Sequence, residues 1–201
     1  MSFSVLQLGK ILLSPAQVFA ALAQSEPAPL KTFFGLTIWL LLCPPLFTLY
    51  GTTQFGWLLG VEPIRLPPSI ALGISGAYLV MLLVGFFSTV AVSRWMTETY
   101  HADASMGRHV ALISVVGAPL AVGSIVHIYP HAFINVLLLI PVLIWSLYLL
   151  YRGLPIVLGT GPERGMLMAS SIVGYLLVAW VTLIGITVVL WSAGYGPRVG
   201  V

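Results

Sequence analysis

Long apolar runs separated by short polar stretches dominate the hydropathy pattern of the chain. No Asp, Glu, Lys or Arg lies in residues 32–61, 66–93, 109–151 or 165–197. A helix that crosses the bilayer needs about 20 mainly apolar residues. Three of these windows therefore predict one spanning helix each, and the 109–151 window predicts two. We expect a membrane domain over residues 32–192, with spans at about 33–50, 69–95, 110–128, 133–151 and 166–192.

The segment before the first span is amphipathic. Ser14-Pro15 is a typical helix start, because the Ser side chain can cap and Pro is tolerated at the first helical position. Val18, Phe19 and Leu22 then share one face. Residues 1–31 are predicted to form a short interfacial helix and a linker, or else a helix docked on the bundle. Residues 193–201 form a short outward tail.

Composition supports lipid as the main solvent of the protein. The chain is 59% hydrophobic and 6% charged, whereas soluble domains carry about 25% charged residues. The fold class is therefore all-α, a polytopic transmembrane helical bundle. The net charge of +3 occurs without a Lys/Arg run, so we expect no nucleic-acid partner. The single Cys43 excludes an internal disulfide.

The basic residues predict the orientation, because cytoplasmic loops of membrane proteins are enriched in Lys and Arg. With the N-terminus inside, Arg65 and Arg198 are the outer basic residues. The remaining basic residues are then inner ones: Lys10, Lys31, Arg94, Arg108, Arg152 and Arg164. This bias predicts a cytoplasmic N-terminus and an outward C-terminus.

Prolines and glycines interrupt several spans. A proline within a span frees a backbone carbonyl and kinks the helix, which predicts kinks at Pro44, Pro45, Pro119 and Pro141. Such kinks are either mobile hinges or fixed features. Small residues permit close helix contacts, which we expect at Gly73, Gly76, Gly117 and Gly123.

Several segments resemble the Yip family of five-span membrane proteins, named for interaction with Ypt/Rab GTPases. The matching segments are Leu13-Ser14-Pro15, Gly117-Ala118-Pro119, Tyr129-Pro130, residues 145–154 (WSLYLLYRGL) and Glu163-Arg164. The resemblance implies five spans, a cytoplasmic N-terminus and an outward C-terminus. Eukaryotic members carry a long polar N-terminal region that this sequence lacks, which puts GTPase binding in doubt. The sequence is more similar to the short bacterial members, which implies an inner-membrane protein without a defined activity.

Two histidines at the predicted outer turn are candidate metal ligands. His127 and His131 are four residues apart, with Glu62 as a possible third ligand. The alternative is two interfacial histidines that cap helix ends. Gly73-Ile74-Ser75-Gly76 and His131–Asn135 are also similar to the G-x-S-G and H-x-x-x-N motifs of rhomboid proteases, but in the reverse order. We expect no resident cofactor and no enzymatic activity.

Charged residues cluster in the predicted cytoplasmic loop between the second and third spans. One interpretation is a docking surface for a partner, and the other is a solvated loop in which arginines balance carboxylates. The candidates are Arg94, Glu98, His101, Asp103 and Arg108, and His109 is expected in the same loop. An acid/base or metal site formed by the loop residues is a third interpretation.

Three functions follow from these features. The first is an accessory, assembly or organising subunit that packs against another membrane protein, lipid or itself. The second is a transporter or channel for an uncharged or lipid-like solute, because no span has a charged residue near its middle. The third is a metal-handling or hydrolytic protein at the outer face.

Overall fold

A computed structural model of the chain describes residues 8–58, 63 and 65–193. Within these ranges the regular secondary structure is helical, and five helices are long and apolar enough to cross a membrane. The all-α polytopic bundle predicted from the sequence is confirmed. The helices are α1 (Leu8–Leu13), α2 (Pro15–Ala23), α3 (Pro29–Gln54), α4 (Pro68–Trp95), α5 (Thr97–Tyr100), α6 (Met106–Gly123, continued by a 3₁₀ turn over Ser124–Ile128), α7 (Ala132–Leu158) and α8 (Pro162–Ser192).

The turns divide the bundle into two ends. We call one the α2 end, because it carries α2, α5 and the turn between α7 and α8. The other is the Pro130 end, where α6 joins α7 through Tyr129-Pro130-His131 and Leu58 N–H donates to the Pro130 carbonyl at 3.1 Å. Prolines begin α2, α3, α4 and α8, where the missing N–H of proline leaves no helical bond unmade.

Helix α6 is the central element of the bundle. It packs most extensively on α7 and also contacts α3, α4 and both N-terminal helices. Its buried face joins the main core through Ala111, Leu112, Val115 and Ala118. A polar contact links α6 to α3 within this interior, between the hydroxyls of Thr37 and Ser114 at 2.6 Å. Since Ser114 also donates to a carbonyl of its own helix, these hydroxyls are satisfied without water.

The N-terminal helices dock on the bundle. Val18, Phe19 and Leu22 are buried, as the predicted apolar face requires, and α2 packs on α7. The docked alternative therefore describes α2, and its contact with the bilayer surface stays a prediction. The predicted cap is wrong, since the Ser14 side chain makes no capping hydrogen bond. Helix α1 lies beside α6, where Ile11 is 1% exposed.

All four predicted prolines lie inside helices that continue past them, namely Pro44, Pro45, Pro119 and Pro141. A π-helical turn over Phe33–Thr37 precedes the first two. Pro119 and Pro141 both line one cavity of about 590 Å³ that also borders Ile11 and Trp145. Pro119 and Pro141 thus lie on helices that face each other. Whether any of the four prolines acts as a mobile hinge stays a prediction.

The spans predicted at 133–151 and 166–192 leave residues 152–165 between them as a loop, and this prediction is wrong. Helix α7 runs to Leu158 and α8 begins at Pro162, so only a short turn separates them. Gly159 ends α7 with a φ of 70°, a conformation that glycine adopts without strain. The Gly and Pro residues in this stretch are therefore helix-end signals. Pro155, which the sequence analysis did not single out, lies inside α7.

Close backbone contacts occur mostly at glycines other than the predicted ones. A Cβ at Gly73, Gly76 or Gly117 would meet no atom within 4 Å, whereas at Gly123 it would meet Val142 at 2.9 Å. Within the described chain, only Gly123 of the four predicted glycines packs closely. The tightest sites are Gly51 against the His127 carbonyl, Gly107 against the Pro27 carbonyl, and Gly153 against the Phe19 ring.

We expect Gly153→Ala to lower the stability of the bundle, because a Cβ there would lie 2.5 Å from the Phe19 ring. Overpacking of this kind costs about 1–3 kcal/mol. Thermal unfolding in detergent would measure the loss, with Gly174→Ala as a control, since a Cβ at Gly174 meets no atom within 4 Å. Phe19→Leu should restore part of the stability of Gly153→Ala. Equal melting temperatures for the two glycine variants would contradict this packing.

Candidate functional site

The connection between α4 and α6 is held to the bundle by its backbone. Arg94 Nη1 donates to the Ala104 carbonyl at 3.2 Å. The Asp103 N–H donates to the Leu158 carbonyl at 3.0 Å, which joins the connection to the end of α7. His101 ends α5 in the left-handed region, with a φ of 52°. The predicted charged loop, residues 96–105, is therefore held to the bundle by hydrogen bonds, and we call this segment the frame.

Two tyrosines, one from α5 in the frame and one from α7, bind the N-terminal part of α8. The Tyr100 hydroxyl lies 2.7 Å from the Ser171 hydroxyl, and the Tyr151 hydroxyl lies 2.9 Å from the Ser170 hydroxyl. Adjacent serines on α8 thus bind tyrosines from α5 and α7. Neither serine is predicted as a functional residue from the sequence, because a Ser-Ser pair in an apolar span carries no signal for its partner.

The linker between α2 and α3 is bound by Arg108. Its Nε donates to the Ser25 carbonyl at 3.1 Å, and its Nη2 lies 2.7 Å from a Glu26 carboxylate oxygen. Next to it, Gly107 lies directly under the Pro27 carbonyl, where a Cβ would collide with the backbone. The start of α6 therefore fixes the path of the N-terminal linker across the α2 end.

The five predicted docking residues separate into two groups. Arg94 binds the Ala104 carbonyl of the connection between α4 and α6, and Arg108 binds the Ser25 carbonyl of the linker between α2 and α3. Glu98, His101 and Asp103 are exposed, and among the described residues neither carboxylate forms an ion pair. The expectation that Arg94 and Arg108 balance the loop carboxylates is therefore wrong, because Arg108 pairs with Glu26 instead. We call Glu98, His101 and Asp103 together the docking face.

His109 was expected in the loop, but it lies inside α6 and is fully buried. Its Nδ1 is 2.8 Å from the hydroxyl of Ser93 on α4, which is also fully buried. Its Nε2 has no partner among the described atoms. The pair connects α4 to α6 beneath the docking face. The prediction was wrong because α6 starts at Met106, about one turn earlier than the apolar run indicates.

Of the two candidate metal ligands at the Pro130 end, His131 caps a helix and the Nδ1 of His127 lies 3.4 Å from the side-chain amide of Asn135. His131 Nδ1 accepts from the Ile134 N–H at 3.4 Å and caps α7. Asn135 packs against the same turn, and its amide nitrogen donates to the Val126 carbonyl at 2.9 Å in the orientation that satisfies both amide atoms. Among the described residues no group of three His, Cys, Asp or Glu could hold a metal. Glu62 lies outside the described residues.

The Ser75 hydroxyl does not pair with a base. Ser75 is buried on α4, and its Oγ has no hydrogen-bond partner among the described residues. A serine nucleophile needs a base within hydrogen-bond reach. The rhomboid-like arrangement of Ser75 and His131 is thus not assembled in this structure.

A cavity of about 700 Å³ opens on the side of the bundle between α4 and α8. Its floor is formed by α6, and single residues of α3 and α7 complete it. The opening exists because α8 packs only through its first half, where Met168, Ala169 and Ile172 are fully buried, whereas residues 181–189 are all exposed. Sequence reasoning found no sign of this cavity, since it depends on the divergence of two apolar helices.

The fold and these contacts define an integral membrane protein whose five apolar helices make up most of the chain. The Yip1 domain family matches residues 9–183, and the chain belongs to this family. It is 29% identical over 153 residues to the inner membrane protein YohC of Escherichia coli strain K12, a match that covers 76% of this chain and 78% of that protein. The YohC protein of Escherichia coli O6:H1 matches to the same extent. No solved structure matches the chain.

Removal of the Arg108 guanidinium and of the Glu26 charge should have different effects. Arg108→Ala leaves the Ser25 carbonyl unpaired and should cost about 1–2 kcal/mol. Glu26→Gln should cost less than about 0.5 kcal/mol, because Glu26 is 63% exposed and surface ion pairs contribute little. Thermal unfolding of both variants in detergent would test this difference. Equal losses would show that the ion pair, and not the carbonyl bond, holds the linker.

Proposed function

We propose that this protein is an accessory or organising subunit that binds another membrane protein, or a second copy of itself, through the docking face. The observation that carries the proposal is that Glu98 and Asp103 are exposed and form no ion pair among the described residues, while their segment is bonded to α7 and α8. A surface that is already ordered loses less entropy when a partner binds.

The charge of the docking face indicates the chemistry of its partner. Glu98 and Asp103 are acidic, while Arg94 binds the Ala104 carbonyl and Arg108 binds the Ser25 carbonyl and Glu26. A partner with exposed Lys or Arg would therefore complement this surface, and such charges mainly raise the association rate and the selectivity. The apolar faces of the spans supply the remaining contact area with a membrane partner.

The membrane and the orientation form part of the proposal. The relatives are named inner membrane proteins, and we propose the inner membrane for this chain as well. The Lys and Arg residues of the α2 end favour its placement in the cytoplasm. The docking face is then cytoplasmic, and the C-terminus faces outward.

Reporter fusions would test the orientation. Alkaline phosphatase, which folds only outside the cytoplasm, should be active when fused after the last residue and inactive when inserted into the turn at Gly159–Gly161. Green fluorescent protein should give the opposite pattern at both positions. Activity of the phosphatase in the Gly159–Gly161 turn would overturn the assigned orientation and move the docking face to the outside.

Charge reversal should remove the partner without unfolding the bundle. We expect Glu98→Lys combined with Asp103→Lys to abolish stoichiometric co-purification of a membrane protein from mild detergent, because both carboxylates are exposed and make no ion pair among the described residues. Mass spectrometry of the eluate would identify and quantify the partner.

Glu163→Lys provides the matched control. Glu163 is an exposed carboxylate in the first turn of α8, at the same end of the bundle but outside the docking face. It should retain the partner at the wild-type level. Retention of the partner by the double variant, with an unchanged melting temperature, would contradict the role of the docking face.

The lateral cavity supports a second candidate function, the handling of an uncharged or lipid-like solute. The cavity lining contains no Asp, Glu, Lys or Arg. Its threonine hydroxyls donate to carbonyls of their own helices, from Thr89 to Gly85 and from Thr187 to Leu183. Such a lining is suited to an apolar solute, and it offers little to a polar one.

A further inference from the structure

Among the described residues, Tyr78 carries the one hydroxyl of the cavity lining that is not bonded to its own helix. Tyr78 lines the cavity from α4, and its hydroxyl has no hydrogen-bond partner among the described residues. It is not among the buried unpaired atoms, so it reaches open space. A phenol O–H within hydrocarbon lacks water as a partner, and an unmade hydrogen bond there is costly.

The depth of Tyr78 restricts the group that could accept its hydrogen bond. Tyr78 lies about 17 residues from the end of α4 at Trp95, and Trp180 lies about 18 residues from the start of α8, so both are roughly 26 Å from the α2 end of their helices. The hydrocarbon core is about 30 Å thick, and these helices exceed it. Both side chains therefore lie within the apolar part of the bilayer.

This depth excludes the common amphiphiles. Phospholipids and fatty acids keep their charged groups at the water interface, and the cavity offers no charged side chain to stabilise such a group within the membrane. The acceptor must therefore belong to an uncharged molecule that dissolves in the hydrocarbon. Phe86 and Trp180 also line the cavity and present aromatic surfaces that pack well on a flat ring.

We propose that this cavity binds an isoprenoid quinone, with one quinone carbonyl accepting a hydrogen bond from the Tyr78 hydroxyl and the isoprenoid tail lying along α4 and α6. The ligand enters sideways from the lipid through the gap between α4 and α8. The volume of about 700 Å³ is in the range of small-molecule sites. This ligand assignment rests on the second candidate function and is independent of the docking face.

Glycines in the lining allow the cavity to be filled without disturbing the fold. A Cβ at Gly85 or Gly117 meets no atom within 4 Å, because both positions face the open cavity. Gly117→Leu and Gly85→Leu should therefore occupy the ligand volume while the bundle stays intact. Gly76→Leu is the matched control, since Gly76 also has open space around it but does not line the cavity.

The test uses the full chain in lipid nanodiscs and a benzoquinone that carries a decyl chain. Quinones quench tryptophan fluorescence on close approach, and Trp180 lies in the cavity wall. We expect saturable quenching by the wild type and by Gly76→Leu. The dissociation constant should rise at least about tenfold in Gly117→Leu and in Gly85→Leu, where the ligand is displaced. It should rise roughly fivefold in Tyr78→Phe, which loses one hydrogen bond.

Several outcomes would overturn the assignment. Quenching that rises linearly with the probe concentration would indicate that the probe only partitions into lipid. An unchanged affinity in both Gly117→Leu and Gly85→Leu would show that the probe does not bind in this cavity. Displacement of the quinone by decylbenzene at equal concentration would show that the carbonyl contributes nothing. Glu98→Lys with Asp103→Lys should retain the wild-type affinity, which distinguishes a failure of this assignment from a failure of the docking proposal.

Discussion

The burial of α6 at the centre of a bundle with few polar groups is the constraint on which the rest of the structure depends. Hydrocarbon offers no hydrogen bonds, so each span must satisfy its backbone internally and association must come from close packing. The residues that permit this packing are Gly107 under the N-terminal linker, Gly123 against α7, and the small Ala111 and Ala118 in the core. Two polar contacts then fix the register, Thr37–Ser114 with α3 and Ser93–His109 with α4.

The bundle is tightly closed at the α2 end and open on the side near the Pro130 end of α8. At the α2 end, side-chain and backbone bonds join α5, the start of α8 and the N-terminal linker to one frame. Farther along, α8 leaves the bundle, and residues 181–189 contribute nothing to the core. The closed α2 end favours the proposed protein-binding surface, and the open side along α8 favours the proposed binding of an apolar ligand.

Charge spacing was sufficient to predict the five spans, because a charged residue in lipid is costly and the uncharged windows have the length of one or two helices. The face of α2 was also readable, since Val18, Phe19 and Leu22 recur at helical spacing. Helix ends were less predictable. Gly159 and Pro162 resemble loop residues in the sequence, although in the structure they end one helix and start the next.

The contacts of the candidate sites were mostly beyond sequence reasoning, for a physical reason. Hydropathy separates lipid from water, but it cannot distinguish a glycine that touches a neighbour from one that faces a void. Gly153 and Gly117 occur in similar apolar surroundings, yet one lies against Phe19 and the other against open space. Likewise, His109 lies close to a charged loop in the sequence, and only the early start of α6 places it in the interior.

Helix α8 is bonded to α5 and also forms one wall of the cavity. Tyr100 belongs to α5, which precedes His101, and its hydroxyl binds Ser171 of α8. The next residue, Ile172, lies in the core and in the cavity wall. Met168, Ala169 and Ile172 of α8 are fully buried, so packing holds α8 at this point together with the Tyr100–Ser171 hydrogen bond. The wall of the cavity is thus fixed near the α2 end and open farther along α8, where residues 181–189 are exposed.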